Sequence, residues 1–328
     1  MPSAENAKLE YEAGQSAYAM AALADSGDAT IFTSLAALFS GRSGYAPNVL
    51  PNGLLTGGVA TTPVSGSDDV IDVAALSCNL NGVVTPVSGS ADLSVVRQVT
   101  DFSTVHSITI NAAGAFAVVQ GTIGTDATFD EVRGAAGGPP EIPVDSIEIA
   151  QVRLATSTVG VISSNEIFQV VGSHLEKADF PVYSINHTDA QVEFNSALPL
   201  IHTGATPKAV HASYSDPIFA DVSLASDFVP VETSHSVTST PIYGGTLGSS
   251  SASLGQGAFT AYLMNGVTDA LVSLKNETLW FRFYPDKFKS ENLIQQGKLG
   301  ISRTFPAGDS LQADCTISAS SESAERTS

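Results

Sequence analysis

Charge is scarce in this chain, and what there is carries one sign. Only 14% of its 328 residues are charged, against roughly 25% in an average soluble protein. Lys and Arg number 14 against 33 Asp and Glu, a formal net charge of -19. So few cations argue against a surface that clamps nucleic-acid phosphates. No apolar run approaches the ~18 residues of a membrane-spanning helix, so no membrane anchor is expected. The opening Met-Pro-Ser-Ala-Glu-Asn has neither the basic nor the apolar segment of a secretory leader. Cys78 and Cys315 are the only cysteines. They supply no disulfide framework and no zinc motif, which predicts two free, buried thiols and fits a reducing compartment. Aromatic residues make up 7%, with Trp280 the single tryptophan, which counts against a carbohydrate-binding groove. The 43% hydrophobic content is too high for a disordered chain.

Signatures of catalysis are also missing. There is no Gly-x-Ser-x-Gly elbow, no His-Glu-x-x-His and no phosphate-cradling Gly-x-x-x-x-Gly-Lys. Gly255-Gln-Gly257 lacks the third glycine of a dinucleotide fingerprint. None of the six histidines pairs with another at helical ligand spacing. His202 and His211 bracket a turn and could face each other on a hairpin, with Asp216 the only nearby acid. Asp68-Asp69-Val70-Ile71-Asp72 lacks the spacing and the trailing Glu of a calcium loop. The expectation is a non-enzymatic protein with no cofactor and no metal.

What the sequence does contain is short strands. Val70–Val73, Cys78–Val84, Ala91–Val99, Val105–Ile110, Ala115–Val119 and Ser146–Leu154 are bounded by turn residues, and Asn81-Gly82 is a strong hairpin signal. Gly and Pro crowd residues 41–63, at Pro47, Pro51, Gly53, Gly57 and Gly58 among others, which predicts a long irregular arm. Residues 241–257 are Gly/Ser-rich around Gly244 and Gly245 and read as a mobile loop. Val267, Ala270, Leu271 and Leu274 share one helical face, predicting an amphipathic helix near 266–275. In the next strand Leu279, Phe281 and Phe283 point one way and Trp280, Arg282 and Tyr284 the other. Val267, Leu271, Leu274, Leu279, Phe281 and Phe283 are therefore the candidate core of the second half. The expected fold is mainly β, of sandwich or barrel type, with one flanking helix and long Gly/Pro loops. Two units are expected, residues 1–175 with an N-terminal arm and residues 176–328 with the helix and closing strands.

Charge is unevenly placed. Residues 1–150 hold 4 basic and 16 acidic residues, whereas Lys275, Arg282, Lys287, Lys289, Lys298 and Arg303 fall within 29 residues. Lys287, Lys289, Lys298 and Arg303 form a candidate basic strip, which reads either as solvated surface or as a contact with the acidic half of a neighbour.

From residue 258 the order is strand, amphipathic helix, the aromatic strand Leu279-Trp-Phe-Arg-Phe-Tyr-Pro-Asp286, then Gly297-Lys-Leu-Gly-Ile-Ser-Arg-Thr-Phe-Pro-Ala-Gly-Asp309 and a closing strand through Cys315. This order and texture, over about 258–319, resembles the end of major tail tube proteins of long-tailed bacteriophages. Ser107–Gly121 and Pro139–Val152 look like modules of phage virion structural proteins, fibres included. The resemblance implies β modules that close rings and stack into a hollow tube for genome delivery, located in the virion tail and assembled in the host cytoplasm. Its partners would be further copies of itself, the tape measure, terminator and distal tail proteins, and passing DNA that is not specifically bound. The excess acid would then keep the channel from holding phosphates. Two stoichiometries are open: trimeric rings of two fused modules with pseudo-sixfold symmetry, or hexameric rings of one module plus an inserted or appended β domain. The arm residues and the 241–257 loop are candidates for contacts between rings. The alternatives are another virion component, such as a capsid decoration, baseplate or fibre-hub protein, or a carbohydrate-active β protein.

Overall fold

The strand Thr278–Tyr284 sorts the larger part of the molecule into faces. A computed structural model describes residues 4–168 and 182–327, and in it the alternation of this strand is kept. Leu279 and Phe281 enter one buried cluster with Leu9, Tyr11, Phe259, Leu299 and Ile317, and Phe283 packs against it. Trp280 points to the opposite face, where it meets Leu38 and Ile294. Such a strand, buried on both faces, must lie inside a sheet.

That sheet has nine strands. Its path runs Ala225–Val229, Gly257–Tyr262, Gln312–Ala319, Asn292–Thr304, Thr278–Tyr284, Lys8–Ala22, Val210–Asp221, Asn48–Pro51, with Ala324–Arg326 paired beside Asn292–Ile294. All its pairings are antiparallel. The N-terminal strand sits centrally. Leu9 lies opposite Phe283 on one side, and Tyr11 opposite Ala220 on the other. Glu12, fully buried, accepts hydrogen bonds from the Ser40 hydroxyl, the Gln15 amide (2.9 Å) and the Trp280 backbone N–H (3.1 Å). The Trp280 indole N–H donates to the Phe39 carbonyl (2.8 Å). These bonds tie the segment before residue 42 onto the sheet. Beside it, Phe32, Phe39, Val192, Phe194, Val210 and Tyr214 form a further cluster that joins residues 23–49 to 183–214.

Residues 53–168 build a separate core from smaller sheets. Gly53–Gly57, Leu76–Leu80 and Val83–Val87 form one sheet. Thr104–Asn111, Phe116–Gln120, Ser146–Leu154 and Ile167–Phe168 form another. Ile71, Cys78, Ile108, Ile110, Ile147, Ile149 and Val152 pack between the sheets. Asn81 (φ 49°) and Gly82 (φ 77°) make the predicted two-residue turn between paired Leu80 and Val83. Positive φ at both positions gives the twist a tight hairpin requires.

The mainly β class is established: 51% of the structure is strand and 3% helical. Three local expectations are corrected. The helix near 266–275 shrinks to one turn, Ala270–Ser273. Gly266 adopts the left-handed φ 76°, and the Asp269 carboxylate accepts the N–H groups of Met264, Asn265 and Gly266, so residues up to Asp269, the N-cap, are held in a turn. Val267 is consequently 64% exposed, while Leu271 and Leu274 remain buried. The 241–257 loop is instead largely paired, in a hairpin of Thr233–Ile242 with Gly245–Leu254. The irregular arm is not free: Asn48–Pro51 pairs with Val210–Ser213, and Gly53–Gly57 with Leu76–Asn79.

The expected division at 175/176 lies outside the described residues. The sheets themselves connect across it, because Lys8–Ala22 pairs with strands from the second half. Residues 53–168 are thus inserted between two parts of one larger β body.

Candidate assembly surfaces

The hairpin of Thr233–Ile242 and Gly245–Leu254 is the most exposed element of the fold. Ten residue pairs hold it, closed by Tyr243 and Gly244, the latter at φ 87°. The two strands form a sheet of their own and pair with no other strand among the described residues. Alternation places Ser234 opposite Ser253 (3.0 Å between hydroxyls) and Ser236 opposite Ser251 (2.7 Å) on one face. His235, Val237 and Ser239 occupy the other face with Ala252, Ser250 and Gly248. Neither face is covered. Val237 is 78% exposed and Tyr243 is fully exposed at the tip, with Ile242 and Leu247 also in solvent. An isolated two-stranded hairpin is marginal in water, and its outer edges present unpaired N–H and C=O groups. The element has the makings of a contact surface: free backbone edges and apolar side chains carried away from the body.

The candidate arm residues lie elsewhere. Pro47, Pro51, Gly53 and Gly58 are buried, and Gly57 is exposed. Gly57 has φ 74°, and a Cβ there would meet the Ala75 carbonyl oxygen at 2.2 Å, so its backbone is pressed against the neighbouring strand. Asn52, fully buried, accepts the Asn81 N–H (2.8 Å) and donates its own N–H to the Ala209 carbonyl (2.9 Å). The segment links the inserted module to the large sheet. Gly244 and Gly245, by contrast, are exposed at the hairpin tip.

The basic strip divides. Lys298 is exposed on the Asn292–Thr304 strand, and Arg303 donates to the Gly266 carbonyl (2.6 Å). Lys287 and Lys289 stand on the turn after Tyr284 and line a cleft of about 810 Å³. Lys8, Arg282 and Arg326 line it too, residues from the chain's beginning and end that local sequence cannot connect. Arg282 contacts the Glu10 carboxylate (2.6 Å) and lies 4.1 Å from the centre of the Phe219 ring. Lys8 bridges Glu10 (2.6 Å) and Asp221 (3.0 Å), and hydrogen bonding to these carboxylates raises its pKa. Burial pushes the nearby Asp216 carboxyl upward.

The candidate ligand residues are not brought together. His202 and His211 do not face each other on a hairpin. His202 is fully buried with Nε2 3.0 Å from the Ser146 carbonyl, while His211 lies in the large sheet opposite Ala22 and Leu50. Among the described residues, no group of three or more His, Cys, Asp or Glu is placed to hold a metal ion. Cys78 and Cys315 are free and buried, and burial, with Asp314 nearby, pushes the Cys315 thiol up to about 12. No family model, curated protein or solved structure matches the chain.

Proposed function

We propose that the chain is a structural subunit that assembles with copies of itself, as a tail tube protein of a long-tailed bacteriophage does. The observation that carries this reading is the Thr233–Leu254 hairpin, whose described side chains from Ser234 on are exposed and whose strands pair with no other strand among the described residues. Ordering about twenty residues opposes folding by roughly 1 kcal/mol or more per residue, and this element buries little apolar surface in return. Burial against a neighbouring subunit would provide the missing stabilisation. The resemblance of residues 258–319 to tail tube proteins adds the geometry, with identical contacts repeated by rotation into a ring and along an axis into a tube.

The acidic excess suits the lining of a conduit for DNA, since like charge disfavours adhesion of phosphates. The connectivity favours the hexameric version of the reading. One large β body, formed by both chain ends, with residues 53–168 inserted, offers one tube module per chain rather than two fused copies. Electron microscopy of the purified protein tests the proposal. Regular hollow polymers with sixfold rings are expected. A particle that remains monomeric at high concentration, or a closed ring that never stacks, would refute the tube.

A further inference from the structure

Five basic side chains face one cleft on a protein of charge -19. Lys8, Arg282, Lys287, Lys289 and Arg326 line it against three acidic residues. They converge from four segments, because the pairing of Lys8 with Tyr284 and of Asn292 with Arg326 brings the chain's two ends to the same end of neighbouring strands. Lys8 and Arg282 are engaged by Glu10, and Arg326 lies 3.5 Å from Asp189. Among the described residues, Lys287 and Lys289 have no carboxylate within ion-pair distance. They are the two cations of the cleft without an ion-pair partner among the described residues, and Asp216 and Glu325 are its unpaired acids.

A second cleft, of about 940 Å³, adjoins it, and Lys8 and Lys287 line both. Its wall sets Leu9, Leu224, Phe228, Phe283 and Phe288 beside two acids, Asp221, which Lys8 already engages, and Asp227. Phe228 and Phe283 stack at 4.5 Å between ring centres. Phe288, between the two lysines, is 77% exposed. The Lys287 ammonium lies 5.4 Å from the centre of its ring. Cationic and apolar hollows separated by two lysines fit an acidic segment that carries a hydrophobic side chain beside its carboxylates. Aromatic anchors rimmed by charge are the usual make-up of a protein-binding patch.

We propose that this double cleft receives the acidic half of a second copy of the chain. Charge complementarity selects that occupant: residues 1–150 carry 16 acidic against 4 basic residues, and a self-assembling chain meets them at high local concentration. This inference rests on the self-assembly proposed above, and it places one contact at a named site away from the hairpin.

Zero-length carbodiimide coupling, which joins lysine to carboxylate, tests it on a mixture of isotopically light and heavy full-length protein. The expected products are mixed-isotope links from Lys287 or Lys289 to Asp or Glu within residues 1–150. Their yield should fall about tenfold as salt rises from about 0.05 to about 0.5 M. Lys287→Glu with Lys289→Glu, checked for folding by circular dichroism, should weaken self-association about tenfold, and Phe288→Ser should weaken it with less salt dependence. Polymers that form with no such links, or that tolerate both charge reversals, overturn the cleft proposal and leave the tube reading intact. A chain that never self-associates defeats both. Retention of an acidic oligonucleotide at Lys287 and Lys289, without links between copies, assigns the cleft to nucleic acid and overturns the proposal.

Discussion

The strand Ser146–Leu154 and the hairpin Thr233–Leu254 are both antiparallel pairs with alternating side chains, yet they end in opposite environments. All nine residues of the first are buried. Every residue of the second whose side chain is described, from Ser234 on, is exposed. The difference comes from what crosses each face. Ile147, Ile149 and Val152 meet the core of the inserted module. The other face carries Glu148 and Gln151 and is roofed by the Gly/Pro segment before it. Arg133 reaches down to Glu148 (2.6 Å), and Glu148 also accepts from Ser107 and from Gln151 (3.1 Å). Arg153 reaches Glu131 (2.6 Å) and lies 4.7 Å from the centre of the Phe168 ring. Among the described residues the hairpin has no such roof. The proposed cover is another copy of the chain.

The sharpest way to break the comparison is to remove the roof. Arg133→Ala should destabilise the subunit by about 3–5 kcal/mol, because Glu148 would be left buried without its cation. Urea unfolding monitored by fluorescence or circular dichroism reads the loss. Arg133→Met combined with Glu148→Leu should recover most of it, since an apolar pair leaves no buried charge.

Acid probes the same module through His106. This side chain is fully buried, neither ring nitrogen has a hydrogen-bond partner among the described residues, and burial, with Arg97 nearby, lowers its pKa to about 4. The folded value lies below the unfolded one. Above pH 6.5 both states are neutral and nothing is lost. As pH falls from 6.5 toward 4, the unfolded chain takes a proton that the folded one refuses. The loss reaches about 3 kcal/mol at pH 4 and then levels off. Thermal melts across that window should show a correspondingly shallower decline for His106→Leu than for the parent; equal slopes would remove His106 from the explanation.

Shortening the hairpin should do least to the subunit. Replacing residues 235–252 by a two-residue turn removes no buried cluster, so urea stability should move by only about 0.5 kcal/mol. Assembly should nevertheless be lost, which separates this element from the roof over Glu148. A large drop in stability would mean that the hairpin serves the fold of its own chain.

Much of this contrast was hidden from local sequence. Asn81-Gly82 and the Leu279/Trp280/Phe281 alternation were legible because turn chemistry and a one-sided core leave a local mark. Lys8–Ala22 was not: its Ala, Gly and Ser give no clear period, and its place between Val210–Asp221 and Thr278–Tyr284 comes from pairing far along the chain. Residues 266–275 carried a helical period that the Asp269 turn overrode. The hairpin resembled a loop because a ladder without a buried face needs no apolar alternation. Lys287 and Lys289 were visible as a cluster, but Lys8 and Arg326 join them only through the sheet.

The uncovered hairpin is proposed to belong to an interface between subunits. Negative-stain electron microscopy of the purified full-length chain, side by side with the hairpin-shortened variant, tests it most directly. Stacked hollow polymers are expected for the full chain and folded, unpolymerised subunits for the variant. Identical polymers from both, or dispersed monomers from both, would contradict it.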